Sequence, residues 1–98
     1  MRNPAAQGRP DANHAEIVRQ YETLFCSVRD THAVGGGFPD LVVGIAGVTE
    51  LVEIKTTDGE LLPSQVTFNR DWRGRRVRVV RSVQDVIDHV IEIRGRFK

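Results

Sequence analysis

The sequence predicts a small mixed α/β domain (α+β, with a mixed sheet) whose elements follow the order α-β-β-β-α-β-α. Three observations support this prediction: segments with helical spacing near both ends, short apolar or alternating runs between them, and glycine or proline at the junctions. Ninety-eight residues, 40% of them apolar and 28% charged, suffice for one hydrophobic core. We expect a disordered polar arm over residues 1–10 and a single domain over residues 11–98.

The first helix is predicted from an apolar stripe. Ile17, Tyr21 and Leu24 recur at helical spacing, and Asn13 can cap the start of a helix. We therefore expect a helix over residues 13–24 with one buried face.

The other two helices are predicted from the residues that begin and end them. Pro63 suits the first position of a helix, because its missing N–H would be unpaired there anyway. This helix is expected to run to about Trp72, since Gly74 follows. Ser82 can cap the last helix, which is expected to end at Gly95. The apolar face of that helix comprises Val83, Val86, Ile87, Val90 and Ile91.

Four short strands are expected between the helices. They are predicted over residues 25–31, 40–45, 48–55 and 77–80. Ala46 and Gly47 are suited to the turn between the second and third strands, so these two strands should form a hairpin.

The sequence composition bears on the cellular compartment in which the protein is expected. No apolar run approaches the ~20 residues that span a bilayer, and the first residues contain no apolar segment typical of a secretory signal. The single cysteine, Cys26, excludes an internal disulfide and is expected to be a small buried hydrophobe. These features favour a reducing cytoplasm and no membrane association.

The net charge of +1 hides an uneven distribution. Residues 1–69 carry five basic residues and nine acids, a balance of −4, whereas residues 70–98 carry nine basic residues and four acids, a balance of +5. This asymmetry favours an anionic partner at the basic end, although a solvated basic face is the alternative. The densest part contains Arg70, Arg73, Arg75, Arg76, Arg78 and Arg81.

Four polar residues in the centre of the chain suggest a chemistry. Glu53 and Lys55 lie two apart on a strand and therefore point the same way, and Asp40 can converge with Glu53 across the hairpin. Two converging carboxylates suit a hard divalent cation such as Mg²⁺, which can activate water and stabilise charge on a phosphoryl oxygen. Lys55 could orient that water, and Gln65 could hold the lysine or a phosphate by hydrogen bonding. The combination suits phosphodiester hydrolysis, although a Glu-x-Lys pair alone is more often a solvated strand face.

At these residues the sequence resembles a known family. The pattern G-F-P-D-L-V-V-G, then L-V-E-I-K after a short hairpin, then L-L-P-S-Q, is similar to the PD-(D/E)XK nuclease superfamily. Within that superfamily it most resembles the VRR-NUC domains, in particular their short stand-alone bacterial and phage forms. The resemblance covers about residues 13–92 and implies a restriction-endonuclease-like α-β-β-β-α-β-α core.

The resemblance also implies a role for each matching residue. Asp40, Glu53 and the backbone carbonyl of Ile54 would bind catalytic Mg²⁺ or Mn²⁺, and Lys55 would be the catalytic lysine. Gln65 would be the family's helix glutamine. The acid of the first helix would be Glu16, with Glu22 as the alternative, and it would join the catalytic and metal-binding residues.

The function implied is a metal-dependent DNA endonuclease in the cytoplasm of a bacterial or phage-infected cell. Stand-alone members resemble Holliday-junction resolvases, so branched or four-way DNA and a homodimer are expected. The alternatives are a less selective nuclease or nickase, or a DNA-binding or assembly module that does not cut. DNA phosphates would be contacted by the arginines at 70, 73, 75, 76 and 78, and the DNA backbone would approach Gly36 and Gly37 closely.

The histidines and the tryptophan receive simpler interpretations. His14, His32 and His89 show no metal-ligand spacing in the sequence, and a surface position is favoured for His14. Trp72 could stack on a base, but a core position is favoured because it ends an apolar helical stripe.

Overall fold

The computed structural model describes residues 13–97, and it confirms the mixed α/β class and the expected element order. The predicted arm over residues 1–10 lies outside this range. The elements are α1 (His14–Thr23), β1 (Ser27–Asp30), β2 (Leu41–Ile45), β3 (Val48–Ile54), α2 (Pro63–Asp71), β4 (Arg78–Val80) and α3 (Val83–Arg96). The four strands form one sheet in the order β1-β2-β3-β4, in which only the β3–β4 pairing is parallel.

The turn between β2 and β3 sets the register of the sheet. Ala46 and Gly47 both have positive φ, 52° and 80°, as expected for a two-residue turn that matches the twist of a hairpin. Ile45 therefore pairs with Val48, and the ladder continues to the pair of Leu41 and Val52.

The hydrophobic core lies between one face of the sheet and the helices α1 and α3. Leu41, Val43 and Ile45 alternate along β2 and are almost completely buried, as are Val52 and Ile54 on β3. Helix α1 contributes Ile17 and Tyr21, both fully buried, and α3 contributes Val86, Val90 and Ile93. Cys26 is buried at the edge of this core, as expected from the sequence.

The boundaries that differ most from the sequence-based prediction are the start of β1 and the end of α3. Phe25 has φ 65° and is 92% exposed, so it belongs to the turn after α1, and β1 begins at Ser27. Gly95 lies inside α3, which continues to Arg96, where two basic residues in the last turn complement the helix dipole.

The faces of α3 and α2 also differ in part from expectation. Ile91, predicted on the apolar face of α3, is 64% exposed, whereas His89 and Ile93, which were not assigned to that face, are buried in the core. Trp72 is 42% exposed, and no residue of α2 is buried within the described chain. The core position expected for Trp72 is therefore wrong.

Within residues 13–97, no helix combines the length and apolar character required to cross a lipid bilayer.

Candidate active site

The register of the hairpin brings Asp40 and Glu53 together. Because Leu41 pairs with Val52, the next pair along the ladder is Asp40 opposite Glu53. Side chains of directly opposed residues lie on the same face of a sheet, with Cβ atoms about 5 Å apart. Leu41 and Val52 point into the core, so the two carboxylates lie on the opposite face.

Asp40 is oriented by the backbone of β3. Its Oδ2 accepts a hydrogen bond of 2.8 Å from the N–H of Ile54. The N–H and C=O of one strand residue lie on the same side of the strand, so the carbonyl of Ile54 is also directed towards β2. The neighbouring Lys55 N–H points the other way and donates to the carbonyl of Val80. The Asp40 carboxylate and the Ile54 carbonyl thus both lie on the side of β3 that faces β2.

Glu53 is almost completely buried, at 2% exposure, and two polar side chains approach it. Gln65 Nε2 donates to Glu53 Oε2 over 2.9 Å, and Lys55 Nζ lies 3.8 Å from the same oxygen. The lysine side chain is 12% exposed, so its ammonium remains close to the surface. Asp40, Glu53, Lys55 and Gln65 are called the Glu53 cluster below.

The start of α2 positions Gln65. Leu62 precedes the helix, and its N–H donates 2.8 Å to Gln65 Oε1, which leaves the amide nitrogen directed at Glu53. Gly37 packs against this first turn: a Cβ at Gly37 would lie 2.2 Å from the carbonyl oxygen of Ser64. Only glycine fits at this position, because any side chain would collide with Ser64 and because φ is 85°, a value that other residues rarely adopt.

The donor set of the Glu53 cluster fits a hard divalent cation. Asp40 Oδ2 is engaged by Ile54, and Asp40 Oδ1 accepts no hydrogen bond from residues 13–97. Together with an oxygen of Glu53 and the carbonyl of Ile54, it provides carboxylate and carbonyl ligands, which Mg²⁺ and Mn²⁺ prefer. Lys55 lies beside these oxygens as a cation that can stabilise developing negative charge.

The other predicted site residues are arranged less closely. Glu16 is exposed on α1 and makes no hydrogen bond or ion pair with any other described residue. Gly37 is buried against Ser64, which gives the glycine a packing role, whereas Gly36 is exposed beside α2. Glu16 therefore remains a prediction from the resemblance alone.

Three of the arginines expected to contact DNA bind acids of the same chain. Arg70 pairs with Asp71, Arg75 with the buried Glu50, and Arg78 with Glu92. Arg73 and Arg76 are exposed, and neither forms an ion pair within the described part of the chain. Among these five arginines, Arg73 and Arg76 are therefore the best suited to bind a phosphate, because the other three are already paired with acids.

A second buried polar group lies on the core face of the sheet and is called the Glu50 network. Glu50 accepts hydrogen bonds from Arg75 and from His89 Nε2, the latter over 2.8 Å, and His89 Nδ1 lies 2.7 Å from the Tyr21 hydroxyl. Burial opposes ionisation of Glu50, but the hydrogen bonds from Arg75 and His89 outweigh it and lower its pKa. Burial lowers the pKa of His89, so the ring is neutral at pH 7 and accepts the Tyr21 proton at Nδ1.

A third polar group was missed in the sequence. His14, expected at the surface, is buried, and its Nε2 lies 2.8 Å from Asp30 Oδ2, while His32 Nδ1 lies 3.0 Å from Asp30 Oδ1. These three residues are called the histidine cluster. His14 extends the buried stripe of α1 by one turn towards the helix start, which was the available signal, whereas its approach to β1 has no local sequence signature.

No protein-family model, curated protein or solved structure matches this chain.

Proposed function

We propose that this protein is a metal-dependent endonuclease that hydrolyses phosphodiester bonds in DNA. Its preferred substrate is branched or four-way DNA, and its working form is a homodimer. The observation that carries the proposal is the convergence of Asp40, Glu53, Lys55 and Gln65 where the central strands β2 and β3 begin and end, opposite the hairpin turn.

The roles of these side chains follow from their contacts. Mg²⁺ or Mn²⁺, when bound, would polarise a phosphoryl oxygen and lower the pKa of a coordinated water. Asp40, Glu53 and the Ile54 carbonyl are the groups that would hold it. Gln65 fixes the orientation of Glu53 by its hydrogen bond. The Lys55 ammonium, 3.8 Å from Glu53, is placed to orient the attacking water or to stabilise negative charge on the phosphate.

Exposed features of α2 and of the segment that follows it support contact with a nucleic-acid strand. A groove of about 510 Å³ runs between Gly36 and α2 and is lined by Pro63, Phe68 and Trp72. Trp72 stacks on Phe68, with ring centroids 5.1 Å apart, and still exposes 42% of its surface. An exposed indole can stack on an unpaired base, and the exposed Arg73 and Arg76 can bind phosphates.

The preference for branched DNA rests on size and symmetry. The described chain has one sheet and no separate element for reading bases in a groove within residues 13–97. Recognition of DNA shape is therefore favoured over recognition of sequence. A four-way junction has two-fold symmetry and would be cut in pairs by a two-fold dimer.

Cleavage of a labelled four-way junction, beside a linear duplex of matching sequence, tests the proposal. The reactions contain Mg²⁺, Mn²⁺ or EDTA, and Lys55→Ala is compared with Arg29→Ala, an exposed cationic position on β1 outside the cluster. We expect symmetric, metal-dependent cuts confined to the junction, lost in Lys55→Ala and retained in Arg29→Ala. Light scattering at micromolar concentration should show a dimer.

The other outcomes separate the alternatives. Equal cutting of junction and duplex would indicate a less selective nuclease, and a single cut per junction would indicate a nickase. Binding without metal-dependent cutting would indicate a DNA-binding or assembly module. Parallel loss of binding and cleavage in Lys55→Ala would count against its catalytic role.

A further inference from the structure

We propose that the histidine cluster, His14, Asp30 and His32, is a binding site for a divalent transition-metal ion such as Zn²⁺. The site is separate from the Glu53 cluster and does not depend on the proposed nuclease activity. Two imidazole nitrogens and one carboxylate oxygen would bind the ion, and a fourth position would remain for water.

The three ligand atoms are already close together. His14 Nε2 and His32 Nδ1 lie 2.8 and 3.0 Å from the two oxygens of Asp30, and all the ligand atoms lie within 4.8 Å of one another. Ligands at about 2.1 Å around a tetrahedral Zn²⁺ are about 3.4 Å apart. For the cluster to hold the ion, the distances of 2.8 and 3.0 Å would lengthen by a few tenths of an ångström, and any separation as wide as 4.8 Å would shorten by about 1.4 Å.

The three residues are supplied by different parts of the backbone. His14 is the first residue of α1, Asp30 the last of β1, and His32 follows two residues later. The start of α1 is fixed to the sheet, because Asn13 Nδ2 donates hydrogen bonds of 3.3 Å to the carbonyls of Lys55 and Arg81. The ligands are thus held before an ion binds, which reduces the ordering cost of binding.

The register separates this cluster from the Glu53 cluster. Asp30 pairs with Leu41, so its side chain lies on the sheet face that packs against α1. Asp40, one residue before Leu41, lies on the other face. The two sites therefore occupy opposite faces of the sheet, at the same end of its strands. Their ligands also differ in kind: the histidine cluster offers nitrogen and oxygen atoms, whereas Asp40 and Glu53 offer oxygen alone. Imidazole favours Zn²⁺, Co²⁺ and Ni²⁺ over Mg²⁺.

Exposure also suits a metal site. His14 has an 8% exposed side chain, whereas the His32 and Asp30 side chains are 25% and 48% exposed, which provides an entry path.

Two buried polar atoms beside the cluster have no hydrogen-bond partner in the described chain: His14 Nδ1 and Asn13 Oδ1. Binding of an ion through Nε2 would place the imidazole proton on Nδ1, which would then be a donor. Asn13 Oδ1, on the adjacent residue, is an acceptor that lacks a donor. In most zinc-bound histidines the second ring nitrogen donates to an outer acceptor in this way.

The test is metal binding to the untagged protein after treatment with a chelator. Isothermal titration with Zn²⁺ gives stoichiometry and affinity, and titration with Co²⁺ gives visible d–d absorption that reports nitrogen ligation. We expect one nitrogen-ligated ion per chain in the wild type, besides any ion held by the carboxylates of the Glu53 cluster. Asp30→Asn and His32→Ala should weaken binding at least about tenfold and abolish the Co²⁺ absorption. Both substitutions are at partly exposed side chains, so circular dichroism should show an intact fold.

Three control variants locate the bound ion. Asp58→Asn removes an exposed acid away from the cluster, Cys26→Ala removes the only thiol, and Glu53→Gln alters the other candidate site. All three should retain the Co²⁺ absorption of the wild type and its Zn²⁺ binding at the histidine cluster. The proposal is overturned if the wild type binds neither Zn²⁺ nor Co²⁺, if the Asp30 and His32 variants bind as tightly as the wild type, or if Glu53→Gln alone removes binding.

Discussion

Strand β3 carries two glutamates that are equally buried and differently used. Glu50 is 1% exposed and Glu53 is 2% exposed, and their three-residue separation places them on opposite faces of the sheet. Glu50 accepts a charge-assisted hydrogen bond from Arg75 and a buried hydrogen bond from His89. Glu53 instead accepts from the amide of Gln65, and its lysine neighbour stays 3.8 Å away, beyond hydrogen-bonding distance.

The difference indicates that burial alone does not distinguish a candidate catalytic acid from a structural one. Arg75, from the segment before β4, neutralises the charge of Glu50, and the neutral His89 adds a hydrogen bond from the core. Glu53 faces a second carboxylate, Asp40, across the hairpin and lies beside a partly accessible ammonium. Two acids that face each other favour a cation between them, whereas an acid in close contact with a guanidinium favours stability.

The largest expected effect separates the two glutamates by activity. Glu53→Gln should lower metal-dependent DNA cleavage by at least about 10²-fold, because a charged ligand is lost at the reacting centre. Glu50→Gln should leave the cleavage rate of the folded protein within a few-fold of wild type, but should lower the free energy of unfolding by about 2 kcal/mol, since a buried charge pair is broken. Cleavage assays and urea denaturation measure the two quantities. Equal loss of activity in both variants would contradict the comparison.

A second contrast concerns the glycines that support the Glu53 cluster. Gly37→Ala should lower the free energy of unfolding by about 2–3 kcal/mol, because its Cβ would meet the Ser64 carbonyl in addition to the strain at positive φ. Gly36→Ala is the matched control: its φ is 66° and a Cβ there would meet no atom within 4 Å. The control should cost about 1 kcal/mol. Equal losses in urea denaturation would mean that contact with α2 does not require glycine.

The Glu50 network can be weakened with little change in shape. Tyr21→Phe removes the hydroxyl that donates to His89 Nδ1 and leaves that buried nitrogen without its partner. We expect a loss of about 1–2 kcal/mol in the free energy of unfolding, with unchanged DNA cleavage. Thermal and urea denaturation measure the loss. A neutral effect on stability would indicate that the hydrogen bond contributes nothing net.

The smallest effect is a dependence of stability on pH. Burial lowers the pKa of His89 below its usual 6.5, so the unfolded chain binds this proton more readily than the folded chain. Stability should therefore fall as the pH drops below about 6.5. The pKa of Glu50 is lowered from 4.5 by its hydrogen bonds, so this group adds a further loss of stability as the pH falls below about 4.5. Urea denaturation between pH 8 and 4 measures the profile, and a flat profile from pH 7 to 5.5 would contradict the assignment of a neutral His89.

The parts of the structure that follow from local patterns could be predicted from the sequence. The hairpin is an example: a two-residue turn at Ala46 and Gly47 determines that Asp40 lies opposite Glu53, since each strand advances one residue per pair. Pro63 marked the start of α2 for an equally local reason, its missing N–H.

Contacts between distant segments could not be predicted in this way. His14 meets Asp30 only because α1 packs beside the end of β1, and no spacing in the sequence encodes that approach. Trp72 was expected in the core because it continues an apolar stripe, but α2 lies against the Gly37 loop and leaves the indole partly exposed. Which arginines bind neighbouring acids is likewise decided by the tertiary fold.

The absence of buried residues in α2, as far as the described chain shows, has a consequence for local unfolding. A helix with few buried apolar contacts opens at a lower free energy than the sheet it adjoins. We expect the amides of α2 to exchange with deuterium faster than those of α1 and α3, whose faces are buried in the core. Each opening would withdraw Gln65 from Glu53 while leaving the β2–β3 hairpin paired. The Glu53 cluster would then be assembled and disassembled by the least stable helix of the domain, at a small fraction of the free energy of global unfolding.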